Sequence, residues 1–296
     1  MRLNYAPADR CVCAACRAHF ETLMEGKLMS PIANARMYSV CDSVAADWKT
    51  LLAWVLERAG LNFEVIDYPA PAPVSVLWAR DDLGLVMMCG LPFAQRSIRP
   101  TLIAAPIPAP ARYEGQAVYF TDIVVRADSS AQTLADTFGG VVGYTLAESI
   151  TGSDAILNYL QPLREQRGER LYRDAVGELI HARGVIEAID AGRVDVGPLD
   201  SYYHDLLKQH EPQLTAKVRT IATTVPMPIP PLIATTNLSE NELQLLRSAL
   251  LATATEPSIA ALMERLLLKG FAIADPDDYE VIAEVAKKPF QTFEEI

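Results

Sequence analysis

The chain has 296 residues, half of them hydrophobic and 21% charged, with a formal net charge of −11. That length suits two domains with separate cores, and the composition is that of a folded protein rather than a disordered one. The acidic balance excludes nucleic acid and an anionic membrane surface as partners, since both need a basic face. It leaves open a small anion held by backbone N–H groups and helix N-termini.

Residues 1–35 lack the continuous apolar core of a signal peptide and are expected to be a leader, disordered or not native to the protein. Cys11, Cys13 and Cys16, followed by His19, could in principle bind zinc. No second ligand cluster follows, so no metal is expected. With Cys41 and Cys89 the count is five, and an odd number gives no disulfide framework.

From residue 36 onward short apolar runs alternate with helical periods. MYSVC (37–41) reads as a strand, and residues 44–59 as a helix capped by Ser43 and stopped by Gly60. FEVIDY (63–68) is a second strand, 75–81 a short helix, and LGLVMMC (83–89) a strand buried on both faces. A proline-rich segment, 100–111, leads to the strand at 117–125. A second α/β series follows: helix 131–138, strand 141–146, a helix opening near Gly152, helix 184–191, strand 193–199 and helix 202–209. The charge-free run 220–239 holds Pro226, Pro228, Pro230 and Pro231, so it is extended chain rather than a membrane helix. Helices at 239–253, 258–269 and 276–287 close the chain, the first with a capping box of Ser239 and Glu242.

The fold this implies is α/β and two-lobed, each lobe a mainly parallel sheet flanked by helices. Lobe 1 would comprise 36–118 and 232–296, and lobe 2 would comprise 119–231. Two extended crossings, near 119–125 and 225–235, would form a two-strand hinge with a cleft between the lobes.

TLAESITGSDAILNYL (145–160) is the most informative segment. A strand gives way to Ser149, Ile150, Thr151, Gly152 and Ser153, and an apolar-periodic helix begins. Hydroxyl donors, a glycine and unpaired first-turn N–H groups together suit a phosphate, phosphonate or carboxylate. Ser149 or Thr151 could equally be a plain helix cap. Asp200, at a strand C-terminus, could accept from an amino group or a protonated oxygen, or cap the following helix. Asp195 reads as a brace for the Gly192 turn, and Trp48, Trp54 and Trp78 as packing.

The segment 118–160, with Tyr119, Val125, Asp128, Ser129, Leu134, Gly140, Ser149, Thr151 and Gly152, resembles the phosphonate/phosphate-type substrate-binding proteins of ABC transporters. The segment 181–207 is similar to that family at Ala188, Gly192, Val194, Asp195, Asp200 and Ser201, and 81–93 fits its first-lobe pattern. The likeness covers roughly 36–270. Ile150 separates the family's adjacent serine–threonine pair.

The resemblance implies a type II periplasmic-binding-protein-like fold and a solute-binding protein that closes over a small oxyanion, for ABC-type uptake or sensing. Ser149, Thr151, Gly152 and Ser153 would hold the anion, and Tyr119 would cover it. Ser43, Phe93, His181 and Asp200 complete the ligand set, although His181 also reads as a solvated surface residue. The protein would act as a monomer, without a cofactor or catalytic residues and not embedded in a membrane, with an ABC permease as partner. It would be periplasmic by resemblance, or cytoplasmic given the missing signal. No G-x-G-x-x-G, P-loop, H-E-x-x-H or G-x-S-x-G motif is present, and His204 and His210, six apart, are poorly spaced to share a ligand. The alternative is a cytosolic enzyme on the same fold acting on a carboxylate substrate, as in the menaquinone-pathway chorismate dehydratases.

Overall fold

Ile32–Asn34 is the first strand, β1, in a computed structural model that describes residues 30–69, 72–146, 149–287, 292, 293, 295 and 296. The cysteine cluster at 11–16 lies outside the described residues. The first strand therefore precedes the one expected at 37–41, and it falls inside the stretch expected to be a leader. Residues Arg36–Tyr38 form a 3-10 turn instead, entered where Arg36 N donates to the Asn34 side-chain oxygen at 2.9 Å. Asn34 reaches sideways to donate to Ile66 O at 2.9 Å.

Helix α1 (Asp42–Ala59) buries Val44, Trp48, Leu51, Leu52, Val55, Leu56 and Ala59 along one face. Gly60 ends it at φ +67°, a left-handed conformation that glycine adopts without strain. The N-cap is Cys41 rather than Ser43, whose hydroxyl lies 3.2 Å from the Cys41 sulfur. Strand β2 (Glu64–Val65), helix α2 (Val74–Trp78), the fully buried strand β3 (Leu83–Met87), helix α3 (Gly90–Gln95) and strand β4 (Thr101–Pro108) follow. The β4 strand replaces the proline-rich connector expected there. Its partner bulges opposite Ile107 and Pro108, where a proline cannot donate to the ladder.

The chain crosses to the second lobe through β5 (Val118–Tyr119) and builds β6 (Thr121–Arg126), β7 (Val141–Gly143), α4 (Ala155–Arg167), β8 (Asp174–Val176), α5 (Ala182–Asp190), β9 (Val196–Asp200), α6 (Ser201–His210), α7 (Pro212–Thr215) and β10 (Val218–Thr223). It returns through β11 (Met227–Pro228), which pairs with β5 as a two-stranded ribbon between the sheets. Then come β12 (Leu232–Ala234), α8 (Glu240–Ala252), α9 (Ala260–Arg265), β13 (Leu268–Ala272) and α10 (Glu280–Lys287). The helix expected at 258–269 stops at Arg265, because Leu267 turns left-handed at φ +51° and the apolar run after it enters the sheet. The helix expected at 131–138 shrinks to a 3-10 turn, Leu134–Thr137.

The first sheet runs β13-β4-β12-β3-β1-β2 and the second β10-β6-β9-β7-β8. The α/β, two-lobed plan holds, but each sheet is mixed rather than mainly parallel. Parallel pairs join β1 to β2 and β3, and β7 to β8 and β9. The strands next to the crossings, β6 and β12, run antiparallel to their neighbours, because each enters its sheet from the other lobe. Trp48 and Trp78 do pack: Trp48 is buried, and Trp78 donates to Met87 O at 3.0 Å. No helix among the described residues is long and apolar enough to cross a membrane.

Candidate functional site

Asp200 ends β9, and one carboxylate oxygen caps α6 by accepting from the N–H groups of Tyr202 and Tyr203, both at 3.0 Å. The other oxygen faces the lobe boundary. There it accepts from the Tyr38 hydroxyl of the first lobe at 3.3 Å and the Thr151 hydroxyl of the second at 3.4 Å. Both distances are long for hydroxyl donors. Burial pushes the Asp200 carboxyl up to about 6.

Thr151 is presented by a π-helical turn, Ile150–Asp154, that runs directly into α4. Ser149 caps this turn, accepting from Gly152 N at 3.1 Å, while the Thr121 hydroxyl on β6 pins the Thr151 carbonyl at 3.0 Å. Ser153 is buried, and burial pushes the neighbouring Asp154 carboxyl up to about 6. Gly152 is needed for a close approach, but by the protein itself. A Cβ there would lie 1.7 Å from the Thr145 hydroxyl, and Thr145 N donates to Gly152 O at 3.0 Å. Gly152→Ala is expected to cost about 1–3 kcal/mol through overpacking and to displace the turn Ile150–Asp154. Urea unfolding and amide exchange at residues 150–154 would check both halves.

Tyr119 lies in the ribbon between the lobes. It is buried, and its hydroxyl has no hydrogen-bond partner. Cys89 closes the cluster from the end of β3. Burial pushes its thiol up to about 11. Three of the expected residues, Thr151, Tyr119 and Asp200, thus come together with Tyr38 and Cys89. Ser149, Gly152 and Ser153 shape the turn that carries Thr151.

The other expected residues are placed differently. His181 is half-buried and caps α5, its Nδ1 accepting from Gly184 N at 3.2 Å, which puts its proton on Nε2. Burial lowers its pKa, so the ring is neutral at pH 7. It is not a freely solvated surface residue. Ser43 is exposed in the first turn of α1, and Phe93 packs edge-on against Tyr279 inside the first lobe. Asp195 braces β7 rather than the Gly192 turn, accepting from Val141 N at 2.7 Å. An apolar groove of about 440 Å³, lined by Tyr159, Leu163, Val225, Met227 and Val285 among others, shares no residue with the cluster.

Sequence reasoning passed over the network behind the cleft. Arg112, just after β4, forks onto Asp122 of β6 at 3.0 Å and Asp205 of α6 at 2.8 Å, and it donates to Ser201 O at 2.9 Å. His204 meets Asp122 at 2.8 Å, and the Tyr113 hydroxyl donates to Asp205 at 2.8 Å. Burial would raise the Asp122 carboxyl, but the His204 hydrogen bond and the Arg112 charge hold it below the usual carboxylate range. The signal was thin: one acid in a strand, one in a helix, and a single arginine in a proline-rich stretch. Among the described residues no group of His, Cys, Asp and Glu could hold a metal ion.

Over residues 41–279 the chain matches the family described as "ABC transporter, phosphonate, periplasmic substrate-binding protein". Its fold is similar to that of a binding protein component of an ABC phosphonate transporter from Pseudomonas aeruginosa, at 16% identity and a TM-score of 0.70, covering 87% of this chain and 86% of that one. It is similar to PhnD1 from Prochlorococcus marinus in complex with methylphosphonate, at 16% identity and a TM-score of 0.71, covering 88% and 98%. A Xanthomonas citri protein bound to chloride ion gives 20% identity and a TM-score of 0.61, covering 87% and 96%. No match was found among the curated proteins.

Proposed function

The chain belongs to the phosphonate-type periplasmic substrate-binding family of ABC transporters, and from that premise we propose that it binds a small phosphonate-like oxyanion between Tyr38, Cys89, Tyr119, Thr151 and Asp200. The family is one of binding proteins rather than enzymes. One observation carries the reading. Hydroxyls from both lobes converge by long hydrogen bonds on one Asp200 oxygen, and the buried Tyr119 hydroxyl, within electrostatic reach of that carboxylate, has no partner. A buried donor without a partner costs about 1–3 kcal/mol, which a ligand oxygen would recover. Long contacts of this kind exchange readily for contacts to a ligand.

Asp200 narrows the class. A carboxylate facing the ligand repels a fully ionised oxyanion, so the ligand must offer a donor there, either a protonated oxygen or an ammonium group. Methylphosphonate, the ligand in the Prochlorococcus relative, is a suitable first probe. Sulfate carries no proton at neutral pH and is the matched negative control. Closure would bend the ribbon of β5 and β11, with the sheet of β1–β4, β12 and β13 moving against the sheet of β6–β10. Export and delivery to an ABC permease follow from the family's role.

Calorimetric titration with methylphosphonate and sulfate tests this. Binding of the first but not the second supports the class. Thr151→Val keeps the side chain's shape and removes its donor, and it should weaken methylphosphonate by about 1–3 kcal/mol. Unchanged affinity in that variant would move the site elsewhere.

A further inference from the structure

Residues near the end of the chain make contacts in both lobes. On the first lobe, Ile282 of α10 fills the space beside Gly90, where a Cβ would come within 2.5 Å of Ile282 Cδ1. Tyr279, immediately before α10, donates to Ile229 O at 2.7 Å. A few residues later Phe293 and Ile296 are buried in the core of the second lobe. The Ile296 carbonyl accepts the N–H groups of Leu171 and, at 3.2 Å, Tyr172.

Phe293 does more than fill that core. Its ring stacks flat on Tyr144, with centroids 4.3 Å apart and planes 4° from parallel. The Tyr144 ring also occupies the space that Gly177 leaves open, since a Cβ on Gly177 would sit 1.9 Å from Tyr144 Cζ. Tyr144 is therefore held on two sides, and its backbone is pinned by Val176 O at 3.1 Å and Leu179 N at 3.2 Å. The next residue is Thr145, which sets Gly152 through a 3.0 Å hydrogen bond and fills the gap where its Cβ would be.

We propose that Phe293 is a positioning residue for the turn Ile150–Asp154, acting through Tyr144 and Thr145. The proposal rests on reading that turn as the oxyanion site. Phe293 touches no ligand. It fixes the strand end from which Thr145 reaches Gly152, so its loss loosens the turn that must be rigid to hold an anion.

Phe293→Leu keeps apolar bulk and loses the stacked ring, whereas Phe293→Tyr keeps the ring. Ile296→Ala removes a buried group from the same core and leaves the stacked Phe293 and Tyr144 rings unchanged in sequence. Phe293→Leu is expected to weaken methylphosphonate by about tenfold and to speed amide exchange at residues 150–153, with Phe293→Tyr near wild type on both readouts. Ile296→Ala should lower the unfolding temperature while leaving affinity within about twofold. Two results would overturn the proposal: wild-type affinity and exchange in Phe293→Leu, or losses in Phe293→Leu and Ile296→Ala that merely track lost stability. If the wild-type protein binds no oxyanion, the functional reading fails instead. Exchange in the ligand-free variants then still decides whether Phe293 positions the turn.

Discussion

Arg112→Ala is expected to lower the unfolding midpoint by roughly 10 °C. Arg112 is partly exposed, but Asp122 beneath it is completely buried and Asp205 nearly so. Removing the guanidinium leaves a buried carboxylate with only His204 and Thr223 to meet it, at 2.8 and 3.2 Å. Breaking one side of a buried ion pair costs about 3–5 kcal/mol, because the remaining charge stays desolvated. Arg112→Lys should recover little, since a point charge cannot serve both acids and the Ser201 carbonyl as the planar fork does. The Phe120 ring, 4.7 Å from the guanidinium carbon, loses its cation as well. Differential scanning calorimetry of both variants checks this, and a midpoint within 2 °C of wild type for Arg112→Ala would show that the network is energetically idle.

Other contacts join the lobes as well. Arg112 ties the turn Ala111–Tyr113 to β6 and to α6, and the Tyr202 hydroxyl reaches across to Leu266 O at 2.6 Å. All of these are shorter than the two hydroxyl contacts to Asp200, at 3.3 and 3.4 Å.

The two-lobed plan was legible in the sequence because strands buried on both faces are written as apolar runs. Leu83–Met87 and Thr121–Arg126 announce themselves in that way. The strands that went unread each carry a feature that masks the pattern. β4 contains prolines, β13 continues the apolar phase of the helix before it, and β1 is three residues long. The turn at 149–153 was readable because a cap, a glycine and hydroxyls coincide there. The meaning of Gly152 was not, since Thr145 fills its space through a tertiary contact that no local pattern encodes. Tyr38 was hidden for the opposite reason. Its apolar ring fits an alternating pattern, so it read as strand, while its hydroxyl crosses the cleft to Asp200.

Asp200→Asn should separate the cost of the site from its use. In the folded protein the Asp200 carboxyl is pushed up to about 6 by burial, against an ordinary value of 3.8. A raised carboxyl favours the folded state fully below the ordinary value, and this contribution is lost as pH climbs through about 6. The difference corresponds to roughly 3 kcal/mol. Ligand-free wild type should therefore lose stability between pH 4 and pH 7 relative to Asp200→Asn, whose amide oxygen can still accept from Tyr202 and Tyr203. Asp154, raised in the same direction, is present in both proteins and cancels. Binding should move the other way. At pH 7.5 the variant lacks the charged acceptor for the ligand's donor, a loss of about 1.5–3 kcal/mol or roughly 10- to 100-fold in affinity. Below pH 6 the wild type protonates Asp200 and the two affinities should converge, since the ligand's own titration is common to both. Thermal unfolding and titration calorimetry from pH 4.5 to 8 would measure both trends. Parallel curves for the two proteins would place the ligand away from Asp200, whereas opposite trends would show that the protein keeps an ionised carboxylate in its interior, against its own stability, because the ligand supplies the missing donor.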